Sequence, residues 1–94
     1  MKSVLGKKIQ LSVVTAHLDY DDNDITIDSV SRFDNSQDAA KYITDDYNES
    51  FDDMSEIELT DVLAKINTLK PGKAVEFDGP EDAPSLYKWK VFRH

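Results

Sequence analysis

The 94-residue sequence contains no cysteine. That absence removes disulfides, thiolate metal sites and cysteine nucleophiles together. It accords with a reducing compartment. Glycine is nearly as scarce. Gly6, Gly72 and Gly79 are the only three, and none lies in a phosphate-cradling loop. No apolar run approaches the length of a membrane span. The start, Met1-Lys2-Ser3-Val4-Leu5-Gly6, has a base but lacks the apolar stretch of a signal peptide. A soluble, cytoplasmic protein is therefore expected. The two histidines, His17 and His94, have no second ligand at metal spacing. Neither a metal site nor a cofactor is expected.

Bases are few where acids are many. The formal net charge is −8, and it is unevenly spread. Between residues 19 and 61, fifteen acids face only Arg32 and Lys41. Both ends of the chain are mildly basic. So concentrated a negative field repels nucleic acid and anionic membranes. Direct nucleic-acid binding and membrane binding are thus not expected. A length of 94 residues fits one domain, residues 1–94. Trp89, four tyrosines and four phenylalanines indicate a folded chain, because disordered acidic chains are poor in aromatics.

Hydrophobic periodicity gives the order of elements. Residues 7–20 read as a strand: Ile9, Leu11 and Val13 alternate with polar neighbours. The phase slips at Val13-Val14, which is how a β-bulge reads; burial on both faces is the alternative. Asp19 to Asp24 is a polar turn. Ile25 to Phe33 is a second strand, with Ile25, Ile27 and Phe33 on one side and Val30 opposite. The two form an antiparallel hairpin. Asp34 to Glu58 reads as the long central helix. Asp34, Asn35 and Ser36 are its candidate caps, Asp34 with Gln37 having capping-box spacing. Ser55 with Glu58 caps a shorter helix carrying Leu59, Val62, Leu63, Ile66 and Leu69 on one face. Pro71-Gly72 ends it. Ala74 to Phe77 and Leu86 to Phe92 are strands on either side of a Gly/Pro loop. The last has Tyr87, Trp89 and Val91 on one face. The expectation is an α+β fold in the order ββααββ, with two helices on a four-stranded, mainly antiparallel sheet.

The central stretch carries the strongest pattern. At about 100° per residue, Ala40, Ile43, Tyr47, Phe51 and Met54 share an apolar arc. Asp38, Asp45, Glu49, Asp52 and Glu56 share the opposite one, widened by Asp46 and Asp53. Lys41 is the only base in the run. The ordinary reading is a solvated face that aids solubility. Three details favour binding instead. The acids are almost unmixed with bases. They recur about every 5 Å along a helix, the order of phosphate spacing along a strand. Tyr42 falls among them as a candidate anchor. The later acids lie where the helix dipole disfavours them, so a basic partner would relieve a real cost.

Other chemistry fares worse. Asp19, Asp21 and Asn23 match the first ligand positions of an EF-hand loop. Asp24 then replaces the needed glycine and Val30 the needed glutamate. Paired-carboxylate catalysis needs an apolar pocket to raise one pKa, and these acids follow a solvent-facing arc. The chain is therefore expected not to be an enzyme.

In size, acidity, lack of cysteine and sheet-plus-two-helix build, the chain resembles the small phage-encoded anti-CRISPR inhibitors. Thr15-Ala16-His17-Leu18-Asp19-Tyr20 is similar to an N-terminal strand of one inhibitor of type I surveillance complexes. The resemblance implies an inhibitor that blocks the nucleic-acid groove of a CRISPR effector by mimicry; no site residue is carried over from it. The residues expected at such an interface are Asp38, Tyr42, Asp45, Asp46, Glu49, Asp52, Asp53 and Glu56. A small structural or regulatory subunit is the alternative, pairing through its sheet by Tyr87, Trp89 and Phe92. An antitoxin-like inhibitor of a basic nuclease shares the charge pattern. Oligomeric state is left open by the sequence.

Overall fold

A computed structural model describes residues 10–21 and 23–94. Residues 7–9 of the predicted first strand, and Asp22 of the turn, lie outside the described residues. The elements are β1 (Leu11–Leu18), β2 (Ile25–Phe33), α1 (Ser36–Ser50), α2 (Leu59–Asn67), β3 (Ala74–Asp78) and β4 (Leu86–Arg93). The expected order ββααββ is the observed one. The sheet runs β2-β1-β4-β3 with every pair antiparallel. β1 and β4 are thus central, and the two hairpins supply the edges.

One face of the sheet is covered by the helices. Leu11 and Val13 of β1 meet Trp89 and Val91 of β4 there, all within 1% of full burial. α1 contributes Ala39, Ala40, Ile43 and Tyr47, and α2 contributes Val62 and Ile66. These positions recur every three to four residues, the spacing that places side chains on one helical face. Aromatic rings fill the end of the core. Phe51 stands edge-on to Tyr47 at 5.4 Å and to Tyr87 at 5.1 Å, geometries that the ring quadrupoles favour.

The hairpin turn forms where the Asp-rich stretch predicted it. Asn23 adopts φ 59°, a left-handed conformation that asparagine tolerates. Asp19 accepts from the Asn23 N–H at 2.7 Å through its carbonyl. Its side chain accepts from the Asp21 N–H at 2.9 Å. After α2, Gly72 takes φ +81°, which a glycine adopts without steric cost. Its N–H donates to the Arg93 carbonyl at 2.8 Å and ties the turn to β4.

The bulge lies elsewhere than the sequence suggested. β1 runs unbroken against β4. Against β2 the register shifts between Thr15, opposite Ser29, and Ala16, opposite Ile27. Asp28 is therefore the extra residue, and it is in β2. Its effect is large, because one added residue flips every later side chain to the other face. Val30 then shares a face with Ile25 and Ile27, contrary to the expected opposition. Phe33 lies on the helix side. The slip seen at Val13-Val14 reflects a central strand lined on both faces: Leu11 and Val13 under the helices, Val14 and Ala16 half-buried on the other side.

The central helix is also shorter than expected. It ends at Ser50, not Glu58. Phe51 leaves the helical region at φ −130°, ψ 31°, and its N–H donates to Tyr47. The chain then doubles back. The Asn48 side chain grips the Ile57 backbone twice, accepting from its N–H at 2.9 Å and donating to its carbonyl at 3.2 Å. Asp45, Asp46 and Glu49 crowd the negative pole of α1, and its last turn has no base. Both effects favour stopping over continuing. Met54, expected in the apolar arc, falls beyond the helix and is exposed.

The caps differ in detail. Asn35 is the N-cap of α1, accepting from the Asp38 N–H at 2.8 Å; the Asp34–Gln37 box is not the cap used. Glu58 precedes α2 without a side-chain cap bond. Ser55, expected to cap it, instead hydrogen-bonds the Tyr47 hydroxyl at 2.7 Å.

Candidate functional site

The eight predicted interface residues divide by surroundings. Asp38, Asp45 and Glu49 are exposed along α1. Asp52 and Asp53 are exposed in the turn after it, and Glu56 in the extended segment beyond. The regular pitch of about 5 Å per turn therefore ends at Glu49. Past that point the acidic surface is irregularly spaced, unlike the long helical ridge that the pattern suggested.

Two residues leave the set. Asp46 turns toward the sheet, where its carboxylate accepts from the Trp89 indole N–H at 2.8 Å. Trp89 is 1% exposed, so this carboxylate satisfies a donor that water cannot reach. Tyr42 is half-buried, and its ring packs on Phe33 at 5.4 Å. Its hydroxyl lies 3.3 Å from that of Ser29. The Ser29 hydroxyl holds the phenol below its ordinary pKa, while burial works the other way. Tyr42 thus joins α1 to β2 instead of standing free among the charges. The arc missed both because a helical wheel knows angles but not where a neighbouring strand stands.

Of the remaining six, Asp45 alone is paired among the described residues. Lys41 donates to it at 2.7 Å, one helical turn away. That bond raises the lysine pKa. Both side chains are more than half exposed, so solvent screens the pair and it adds little to stability. Asp38 accepts from the neutral Asn35 amide at 3.1 Å. Glu49, Asp52, Asp53 and Glu56 make no side-chain ion pair among the described residues.

A second surface was not anticipated. The sheet face away from the helices is partly apolar. Ile25, Ile27 and Val30 are 72%, 57% and 56% exposed on it, beside Val14, Ala16, Leu18 and Leu86. The other half of the face is a charge lattice. Lys88 donates to Asp78 at 2.8 Å and Glu76 at 3.3 Å. The Asp78 bond, foremost, raises the Lys88 pKa. The three aromatic residues expected to carry sheet pairing do not share this face. Trp89 is buried under α1, and Tyr87 faces the helix side against Phe51. Phe92 alone lies on the open face, under the Lys90 ammonium at 5.3 Å.

Among the described residues no group of three His, Asp or Glu side chains is arranged to hold a metal ion. His17 pairs with Asp28 at 2.9 Å. His94 meets the Ser12 hydroxyl at 2.6 Å, closing β1 onto the end of β4. No helix among the described residues is long and apolar enough to cross a membrane. No protein-family model matches the chain, and neither does any curated protein or solved structure.

Proposed function

We propose that this is a non-enzymatic binding protein of the cytoplasm, whose acidic surface docks into the nucleic-acid-binding groove of a basic partner. One observation carries the reading. Asp38, Asp45, Glu49, Asp52, Asp53 and Glu56 are exposed on α1 and the segment after it, and Lys41 is the only base paired with any of them among the described residues. A surface of unpaired like charges disfavours itself and favours a cationic groove. A CRISPR effector complex is the partner class that the resemblance to anti-CRISPR inhibitors implies. A basic nuclease held by an antitoxin-like inhibitor fits the same charge. Asp46 and Tyr42 act within the protein in this reading, holding α1 against β4 and β2.

The test uses the captured partner itself. Tagged protein retains the partner from host lysate at low salt, and added DNA or RNA competes it away. The variant Asp45→Lys/Glu49→Lys/Asp52→Lys captures nothing yet keeps its fold. Undiminished capture by that variant rejects the reading.

A second reading rests on the open sheet face. Exposed Ile25, Ile27 and Val30 form an apolar patch on an edge strand, suited to pairing with a like or unlike chain. Such binding would persist at high ionic strength, whereas groove docking would weaken steeply. Ile27→Lys would abolish it and leave groove docking intact.

A further inference from the structure

A cleft of about 390 Å³ lies between the 56–58 segment, the first turns of α2 and the outer side of β3. Its floor is apolar, formed by Ile57, Val62 and Phe77. Glu58 and Asp61 stand at its α2 side. Both are exposed, and neither has a side-chain ion pair among the described residues. Lys65 places its ammonium 5.6 Å from the centre of the Phe77 ring. The chain itself thus seats an alkylammonium group on this floor, an attraction that the ring quadrupole supplies.

The other wall is the free edge of a sheet. β3 pairs with β4 on one side only. The Arg93 N–H donates to Lys73 at 3.0 Å, and the Gly79 N–H donates to Tyr87 at 2.8 Å. Bonded and non-bonded pairs alternate along an antiparallel ladder. Val75 and Phe77 therefore exchange bonds with β4. The N–H and C=O groups of Ala74, Glu76 and Asp78 point outward, away from β4, and Glu76 and Asp78 line the cleft. The carboxylates of Glu76 and Asp78 do not add to its charge, since Lys88 engages both on the open face. β2, the other edge, carries the bulge at Asp28, which disrupts a ladder.

We propose that the β3 edge and this cleft receive an extended, basic segment of the partner. It adds as a fifth strand beside β3, bonded to Ala74, Glu76 and Asp78. A lysine or arginine side chain of that segment lies over Ile57 and Val62, clear of the Phe77 ring that Lys65 covers, its charge between Glu58 and Asp61. Main-chain bonds supply affinity in such strand addition, and the side-chain pocket supplies selection. The inference rests on the reading of the partner as basic, and it adds a docking point distinct from α1.

The test is a titration of the isotope-labelled protein with a capped Lys-Val-Arg-Val-Lys peptide in about 150 mM salt, where long-range attraction is screened. The amides of Glu76, Asp78 and Val62 shift, and hydrogen exchange slows at Ala74, Glu76 and Asp78. N-methylation of alternate peptide amides, or the acidic Glu-Val-Glu-Val-Glu counterpart, abolishes these changes. Glu58→Gln with Asp61→Asn weakens binding about tenfold. The Asp45→Lys/Glu49→Lys/Asp52→Lys variant leaves the peptide affinity unchanged, although it abolishes capture of the whole partner. Shifts confined to α1, or equal binding of the N-methylated peptide, overturn the inference while leaving the acidic-surface reading intact.

Discussion

Replacing Asp46 by alanine separates a carboxylate that holds the fold from those that face solvent. The change removes the acceptor of the Trp89 indole N–H, a bond of 2.8 Å. Trp89 is 1% exposed, so water does not readily take the acceptor's place. A hydrogen bond to a charged group contributes about 1.5–3 kcal/mol, and an unmet buried donor carries its full desolvation penalty. A small gain offsets this. Asp46 and Glu49 are like charges three residues apart, and removing one relieves a few tenths of a kcal/mol. The expected net loss is about 1–2.5 kcal/mol, or a fall in Tm of roughly 4–20 °C for a domain of this length. Asp46→Asn keeps a neutral acceptor and loses about half as much. Asp45→Ala is the control. It breaks only the exposed pair with Lys41, which solvent screens, and leaves stability close to that of wild type. Urea unfolding followed by the fluorescence of Trp89, the sole tryptophan, measures all three. An Asp46→Ala variant within about 0.5 kcal/mol of wild type, or a larger loss for Asp45→Ala, would show that the indole bond does not hold α1 to β4.

Asn48→Ala frees the Ile57 backbone from two bonds, costs about 1–3 kcal/mol, and speeds amide exchange at Ile57. Wild-type exchange there would show that the clamp does not hold the α1–α2 connection. Glu49→Lys places a base in the last turn of α1, which has none. It raises stability by about 0.3–1 kcal/mol while weakening partner binding, so that fold and function move in opposite directions. Loss of stability would contradict the dipole argument. Lys88 has a pKa raised above 10.5 by its bond to Asp78. Its contribution is present below that ordinary value and is lost as pH rises through the raised one. Lys88→Met therefore flattens the alkaline decline of the urea midpoint, and an unchanged slope would reject that assignment.

The order of elements was legible because it depends on period alone. Leu11 and Val13, then Ala40, Ile43 and Tyr47, then Val62 and Ile66 mark the faces that the core buries. The turns were legible from the conformational needs of Asn23 and Gly72. Where the sequence misled, a non-local contact decided. Asn48 reaching Ile57 ends a helix whose local pattern runs on. Asp28 inserts into β2, a slip visible only against a partner strand. Asp46 looked like one acid among many until Trp89, 43 residues away, supplied its donor. The candidate site divides in the same way. Charge and exposure along α1 could be read from spacing as far as Glu49, whereas Glu56 lies beyond the helix that the spacing assumed. The cleft beside Glu56 is made by β3 folding back near α2, a juxtaposition that no window of the sequence contains.

In the proposed complex, exposed carboxylates of α1 and the turn after it meet a basic groove. The most direct measurement is the dissociation constant of the purified, captured partner for wild type and for Asp45→Lys/Glu49→Lys/Asp52→Lys, taken at two salt concentrations. Tight wild-type binding that weakens steeply with salt is expected, with no measurable binding by the variant. Equal affinity of the two proteins, insensitive to salt, would rule out docking through these carboxylates.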